Sequence, residues 1–321
     1  MPLDPVIKQA QRAARRVSGK PARDPAGWRE QAARVDREVF APLMQDAPSG
    51  VTTRDLSVPA PGRPAVRVRL YTPDGERERG CLVAFFGGAF RQGGLDFASV
   101  DRTNKARAVG ADAVVAAVDY ALAPEHPYPE ALEQGLAVVN WLAAGHAAGI
   151  DPARLAVGGT SSGANLAAAV ALAGRDRGGP RLRLQLLEVP TLDLTGQHLS
   201  RGVAWRMGAP PFLVARGLRA VARDYLGEVA RAREPYASPL LADDLSGLPP
   251  AHIFTAEHDL LRGDGEAYAA RLQAAGVAVD LHRFAGQTHE SSFYTRPLKP
   301  ARLWQEAVIK SLTTHLSPAA P

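Results

Sequence analysis

The spacing of hydrophobic and polar positions changes twice along the chain. Over residues 1–50 the apolar positions, among them Val35, Val39, Phe40 and Leu43, are separated by charges and interrupted by Pro and Gly, which predicts short amphipathic helices. From about Thr53 the period shortens to two. LSVPA is followed by VRVRLYTP, in which Val66, Val68 and Leu70 face one way and Arg67 and Arg69 the other. Such alternation predicts half-buried strands at the edge of a sheet. Further on, mostly apolar strand candidates at 82–86, 113–118, 154–159, 184–189, 251–256 and 277–284 alternate with helical patterns, among them 129–144, 162–174 and 264–276. Apolar strands separated by helices predict a largely parallel sheet covered on both faces, an α/β architecture with antiparallel strands at its start.

Residues 191–235 break this rhythm. They hold no strand pattern but carry Trp205, Met207, Phe212 and the helical run 212–226, more chain than a connection between strands needs. The segment is either ordinary helical packing or a cap over the C-terminal edge of the sheet.

Composition narrows the class. The chain has 321 residues, 46% of them apolar, and a fold of this size buries about 75% of the surface its unfolded chain exposes. A small cross-linked scaffold and a disordered chain are both excluded. The net charge is +5, and 33 of the 38 basic residues are arginines. They are dispersed among acids, as in a solvated surface, and the densest basic stretch, residues 11–20, has no interleaved aromatics for stacking on bases, so no nucleic-acid partner is expected. Cys81, the only cysteine, allows no internal disulfide or thiolate metal cluster and opens an apolar run as a packed thiol. With no secretory leader pattern and no apolar stretch of membrane-spanning length, the expected location is the cytoplasm.

The strongest chemical signal is GTSSG at 159–163, which fits the Gly-x-Ser-x-Gly turn that holds a nucleophilic serine between a strand and a helix. Ser161 has glycines at both required positions, whereas Ser162 would have Thr160 and Ala164. A serine nucleophile needs a base and the base an orienting acid, which follow it in the order acid, then histidine. Asp259 follows the strand candidate 251–256 and His289 follows the one at 277–284. Of their rivals, His282 lies inside a strand, His258 directly neighbours the acid, and Asp264 reads as a helix N-cap. Consecutive glycines after the strand candidate 82–86 are placed to offer backbone donors to an oxyanion.

Three longer segments carry a resemblance: DYALAPEHPYPEAL at 119–132, GGTSSGANLAAA at 158–169 and EPYASPLLADDLSGLPPAHIFTAEHDLLRGDGEAYAARL at 234–272. With them the chain resembles the hormone-sensitive-lipase-like (bacterial type IV) carboxylesterases of the α/β-hydrolase fold, from about Leu56 to His289. The resemblance implies the triad Ser161, Asp259 and His289, oxyanion donors at Gly88, Ala89 and Ser162, and a helical cap. It divides the chain into cap segments at 1–50 and 191–235 and hydrolase core at 51–190 and 236–321. Dimers are common in families of this kind.

The chain departs from the family pattern at several positions. Phe86 and Ala89 replace the first His and last Gly of the His-Gly-Gly-Gly loop, which removes an imidazole that ties the loop and forces an alanine toward positive φ. Ala121 stands for an arginine, Thr160 for an acid, Leu260 for a proline, Glu188 for an apolar or aromatic residue, and QTHESSF replaces a glycine-rich context around His289.

The expected activity is cleavage of carboxylic esters, short to medium or small aromatic, through an acyl-enzyme, with Phe86, Phe90, Trp205 and Phe212 lining the pocket and no cofactor or metal required. Alternatives are an amidase or a specialised acyl-transfer or lyase enzyme with the same triad. A non-catalytic receptor, permitted by a likeness to gibberellin receptors, is disfavoured because His289 is present.

Overall fold

Each of the eight strand candidates is a strand in the computed structural model, which describes residues 3–206 and 211–318. The strands are β1 (Val51–Ala60), β2 (Arg63–Pro73), β3 (Arg79–Phe85), β4 (Val114–Val118), β5 (Ile150–Thr160), β6 (Gln185–Glu188), β7 (Ala251–Ala256) and β8 (Val279–Phe284). They form one sheet in the order β1-β2-β4-β3-β5-β6-β7-β8. The β1–β2 and β2–β4 pairs are antiparallel and the others parallel. In β2 the alternation holds: Val66, Val68 and Leu70 are buried while Arg67 and Arg69 reach Asp55 on β1. Every residue of β3 and β4 is buried, as their continuous apolar runs require.

The helices are α1 (Pro5–Ser18), α2 (Pro25–Val35), α3 (Ala41–Leu43), α4 (Ala98–Ala111), α5 (Glu130–Ala143), α6 (Ser162–Asp176), α7 (Arg201–Arg206), α8 (Pro211–Leu226), α9 (Arg262–Ala274) and α10 (Lys299–Leu316), with a π turn at Asp36–Phe40. The runs named from the sequence became α5, α6, α8 and α9; α4 and α10 lie outside them. In α10 the apolar period is nonetheless present, burying Trp304, Val308, Leu312 and Leu316. In α4 it is hidden, because the buried stripe begins Ser99, Thr103, Asn104, Arg107 and only then Ala108 and Ala111.

The sheet and its helices share one large apolar core, and a second, smaller cluster joins Ile7, Ala10 and Val39 to Tyr294, Leu298 and Ala301. A polar tie fixes the N-terminal segment as well. Helix α4 has no capping side chain of its own, and the Asp36 carboxylate accepts from Ala98 N–H (2.6 Å) and Ser99 N–H (3.0 Å). An anion at a helix N-terminus satisfies free amides and complements the helix dipole.

Asp264 does not cap α9, whose N-cap position is Leu261. It lies in the first turn, almost fully buried, and accepts from the amides of Leu192 (2.8 Å) and Asp193 (3.0 Å). Burial pushes this carboxyl up to about 8 despite those bonds. Cys81 is buried, its thiol pushed up to about 12 by burial, and is a packed side chain. No helix among the described residues is long and apolar enough to cross a membrane.

Glu188, at the end of β6, is the least expected core residue. It is 1% exposed and takes a 2.5 Å ion pair from Arg107 Nη2 and a 2.7 Å hydrogen bond from Trp304 Nε1. A buried pair tolerates joint replacement far better than loss of one partner. Glu188→Leu, which strands Arg107, is therefore expected to lower the unfolding free energy by about 3–5 kcal/mol, and Arg107→Leu/Glu188→Leu to recover most of it. Urea unfolding of the three proteins measures this, and a double variant no more stable than Glu188→Leu would refute the coupling.

Candidate active site

Gly159 is the penultimate residue of β5 and Gly163 lies in the first turn of α6, and they make the turn between them possible. A Cβ on Gly159 would run into the backbone of Gly163 and Phe85, and one on Gly163 into the carbonyl oxygens of Phe85 and Phe86. Ser161, at the apex, has φ +58°, a left-handed conformation that costs a non-glycine residue about 1–3 kcal/mol. Hydrogen bonds hold it there: Ser161 N–H donates to Glu188 O (2.8 Å), and Ser161 O accepts from Ala164 N–H (3.0 Å) and Asn165 N–H (3.1 Å).

The structure brings Ser161, His289 and Asp259 together. His289 Nε2 lies 2.9 Å from Ser161 Oγ, and its Nδ1 lies 2.8 Å from Asp259 Oδ2. A carboxylate only accepts, so Nδ1 carries the proton and Nε2 faces the serine. Asp259 is buried, with its other oxygen accepting from Leu261 N–H at 2.9 Å. Burial disfavours protonation of His289, but the charge and hydrogen bond of Asp259, with Glu290 nearby, outweigh it and raise the imidazole to about 9. The loop carrying His289 is braced by Ser291, whose hydroxyl donates to Gln287 Oε1 and accepts from Thr288 N–H, both at 2.8 Å. The polar run around His289 thus supplies its own hydrogen bonds. His282 instead pairs with Asp280 and stacks on Phe254.

The loop after β3 passes beside Ser161 with Gly88 at φ +144°, Ala89 at +53° and Phe90 at +62°. A Cβ on Gly88 would clash with the Gln92 backbone, which is why glycine is needed there. The amides of Gly88, Ala89 and Ser162 donate to no other group among the described residues. The loop is tied despite the missing imidazole: Phe86 stacks on Tyr120 with centroids 4.2 Å apart, and Tyr120 Oη donates to Phe86 O at 2.8 Å. Arg29 of α2 donates to Arg91 O, while Arg91 pairs with Asp224 of α8 at 2.7 Å.

A cavity of about 670 Å³ opens onto Ser161, His289, Gly88 and Ala89. Phe86 lines it as expected. Phe90 does not: it is buried against Tyr225, ring on ring at 3.7 Å. Trp205 and Phe212 are 69% and 70% exposed and line no part of it, and Met207 lies outside the described residues. Among the described residues, none from 191–235 reaches the cavity. The N-terminal segment lines it through Trp28, Ala32, Val35 and Phe40, and α4 through Thr103, Asn104 and Arg107. The N-terminal residues were visible in the sequence only as an amphipathic pattern, and the α4 residues gave no signal.

The alpha/beta hydrolase fold profile matches residues 82–293. The chain is 40% identical over 240 residues to esterase LipI of Mycobacterium tuberculosis, covering 73% of each, and 41% identical over 229 residues to carboxylesterase NlhH of the same species, covering 70% of each. Among solved structures, a hyperthermophilic esterase of the archaeon Pyrobaculum calidifontis superposes with a TM-score of 0.88 at 32% identity, over 98% of this chain and 99% of that one.

A nucleophilic Ser161 requires His289 to be neutral, so its reactivity rises with pH through the histidine's pKa. In the wild type the ascending limb of fluorophosphonate labelling is expected well above pH 6.5, toward 9. Asp259→Asn removes the raising charge and leaves burial, which moves the limb to lower pH and slows labelling by roughly 10⁴-fold. A limb that stays in place in Asp259→Asn would contradict the pairing.

Proposed function

The chain belongs to the α/β-hydrolase-fold family of carboxylesterases and is a carboxylic ester hydrolase; from this we propose that Ser161, His289 and Asp259 are its triad and that the amides of Gly88, Ala89 and Ser162 form its oxyanion hole. The observation that carries the reading is the unbroken chain of hydrogen bonds from Ser161 through His289 to Asp259, on the wall of a cavity beside three uncommitted amides.

In this reading Ser161 Oγ attacks the ester carbonyl and His289 Nε2 takes its proton, while Asp259 holds the imidazole and stabilises its charged form. The carbonyl oxygen becomes an oxyanion facing the amides, with the N-terminus of α6 directly behind Ser161 adding favourable potential. His289 then protonates the leaving alcohol, and a water it activates hydrolyses the acyl-enzyme. Trp28, Phe40, Phe86 and Phe293 give the cavity aromatic walls suited to short or medium acyl chains and small aromatic esters. Residues 1–50 act as a cap, and 191–235 cover the neighbouring loop through Asp224 and Tyr225.

The setting proposed is cytoplasmic, in keeping with a single buried thiol, and the assembly a homodimer, for which the outer edge of β8, with Leu281 39% exposed, is a free pairing face. Sedimentation velocity reads the dimer directly, and a monomer at micromolar concentration would count against it. Ser161→Ala is expected to lower kcat on 4-nitrophenyl butanoate by at least about 10⁴-fold and to abolish fluorophosphonate labelling. Equal rates for the variant and the wild type would overturn the assignment.

A further inference from the structure

Resting on the esterase reading, we propose that the α4 end of the cavity is a polar specificity subsite, in which Arg107 with Thr103 and Asn104 selects esters bearing a neutral hydrogen-bond acceptor on one arm.

The cavity is not apolar throughout. Between its aromatic walls and the sheet it ends on the buried stripe of α4, where Thr103, Asn104 and Arg107 are each less than one-tenth exposed. Such a stripe faces the core in most helices and is apolar. Here it is polar, and it is incompletely matched. Arg107 carries five N–H donors in a planar fork. Nη2 is committed to Glu188 (2.5 Å) and Gln305 (3.2 Å), whereas Nε is buried with no partner and Nη1 meets no acceptor among the described residues. Neither the Asn104 amide nor the Thr103 hydroxyl pairs with a described residue. Buried donors are ordinarily satisfied, and a cluster left open toward a reaction cavity is matched when a ligand supplies the acceptor.

The charges decide which ligand. The Arg107 guanidinium is already balanced by the Glu188 carboxylate, itself 1% exposed and bonded to Trp304. An anionic substrate arm would enter beside that carboxylate without an unpaired cation to meet it. A ketone, ether or hydroxyl oxygen would take the free N–H groups with no charge to desolvate. The subsite also lies close to the chemistry. Thr160, the residue before the nucleophile, lines the same cavity and donates to Glu188 at 3.5 Å, and Ser161 N–H donates to Glu188 O. A substrate arm reaching Arg107 thus lies beside the carboxylate that also meets Thr160, the residue before Ser161. A site built to bond such an oxygen discriminates against the hydrocarbon analogue, because the analogue leaves the donors unmatched.

The test compares two matched ester pairs, so that intrinsic reactivity cancels in ratios between proteins. For the acyl arm the pair is 4-nitrophenyl 4-oxopentanoate and pentanoate, and for the alcohol arm 3-oxobutyl and butyl butanoate. The ratio of kcat/KM, keto over plain, is measured in the wild type, in Arg107→Leu/Glu188→Leu, which removes the ion pair as a unit, and in Asn104→Leu. Ser161 labelling by fluorophosphonate verifies an intact site in each. The expected result is that, in one of the two pairs, the wild-type ratio exceeds that of the double variant by about tenfold, equivalent to about 1.4 kcal/mol, chiefly through KM, and that Asn104→Leu falls between. Ratios within twofold across all three proteins, with plain esters still cleaved and Ser161 labelled, would overturn the subsite and leave the esterase reading standing. No cleavage of any ester by an unlabelled wild type would overturn both.

Discussion

Everything at this site depends on how closely two stretches of backbone pass at the top of the sheet. Gly159 and Gly163 lie against the carbonyl groups of Phe85 and Phe86 with no room for a single methyl group. That contact sets the separation between the turn carrying Ser161 and the loop carrying Gly88 and Ala89, which pins the proposed nucleophile and a row of amides to neighbouring strands. The strain at Ser161 and Ala89 is sustained by the surroundings: by bonds from Glu188, Ala164 and Asn165 on one side, and by Phe86 stacked on Tyr120 on the other. Strain of this kind persists where the rest of the fold over-determines the conformation.

The eight strands were legible because burial alone dictates their composition, apolar on both faces in β3 and β4 and on one face in β2. Ser161, Asp259 and His289 were legible for a related reason: parallel strands bring their C-terminal ends to one edge, so order along the chain becomes proximity. What escaped was whatever the hydrophobic pattern misrepresents. Helix α4 buries polar side chains, so its inward face resembled a surface. The aromatic character of Phe90, Trp205 and Phe212 suggests pocket residues, but Phe90 is used up in stacking with Tyr225, and the other two are exposed. Asp264 sits where a capping residue sits, yet its carboxyl group turns inward to two amides of a distant loop, a long-range contact with no local signature.

Apart from Asp259, which holds His289, two kinds of buried titratable group stand out. Asp36 and Asp264 satisfy backbone amides of another segment and so fasten one part of the chain to another. Arg107 and Glu188 are matched mainly to each other and to Trp304, beside the reaction cavity rather than in a loop. A hydrocarbon pair of similar volume would fill the same space, so the ionised groups there add polarity beside the cavity that holds the proposed site.

The packing of the first fifty residues has a kinetic corollary. Ile7, Ala10 and Val39 meet Tyr294, Leu298 and Ala301 in a cluster that stands apart from the main core, and the Asp36 carboxylate is the buried polar tie to α4. A unit held by this cluster and by polar bonds near the surface, such as those of Arg29 to Arg91 O and Glu125, rather than by the sheet, is expected to detach at lower free energy than the sheet unfolds. Its amides are therefore expected to exchange with solvent by a sub-global opening, while those of β3 and β5 wait for the whole molecule. Such an opening is expected to lift Trp28, Val35 and Phe40 from the cavity with Ser161, His289 and Asp259 still assembled, which would let ligand traffic and global stability be set by different parts of the fold.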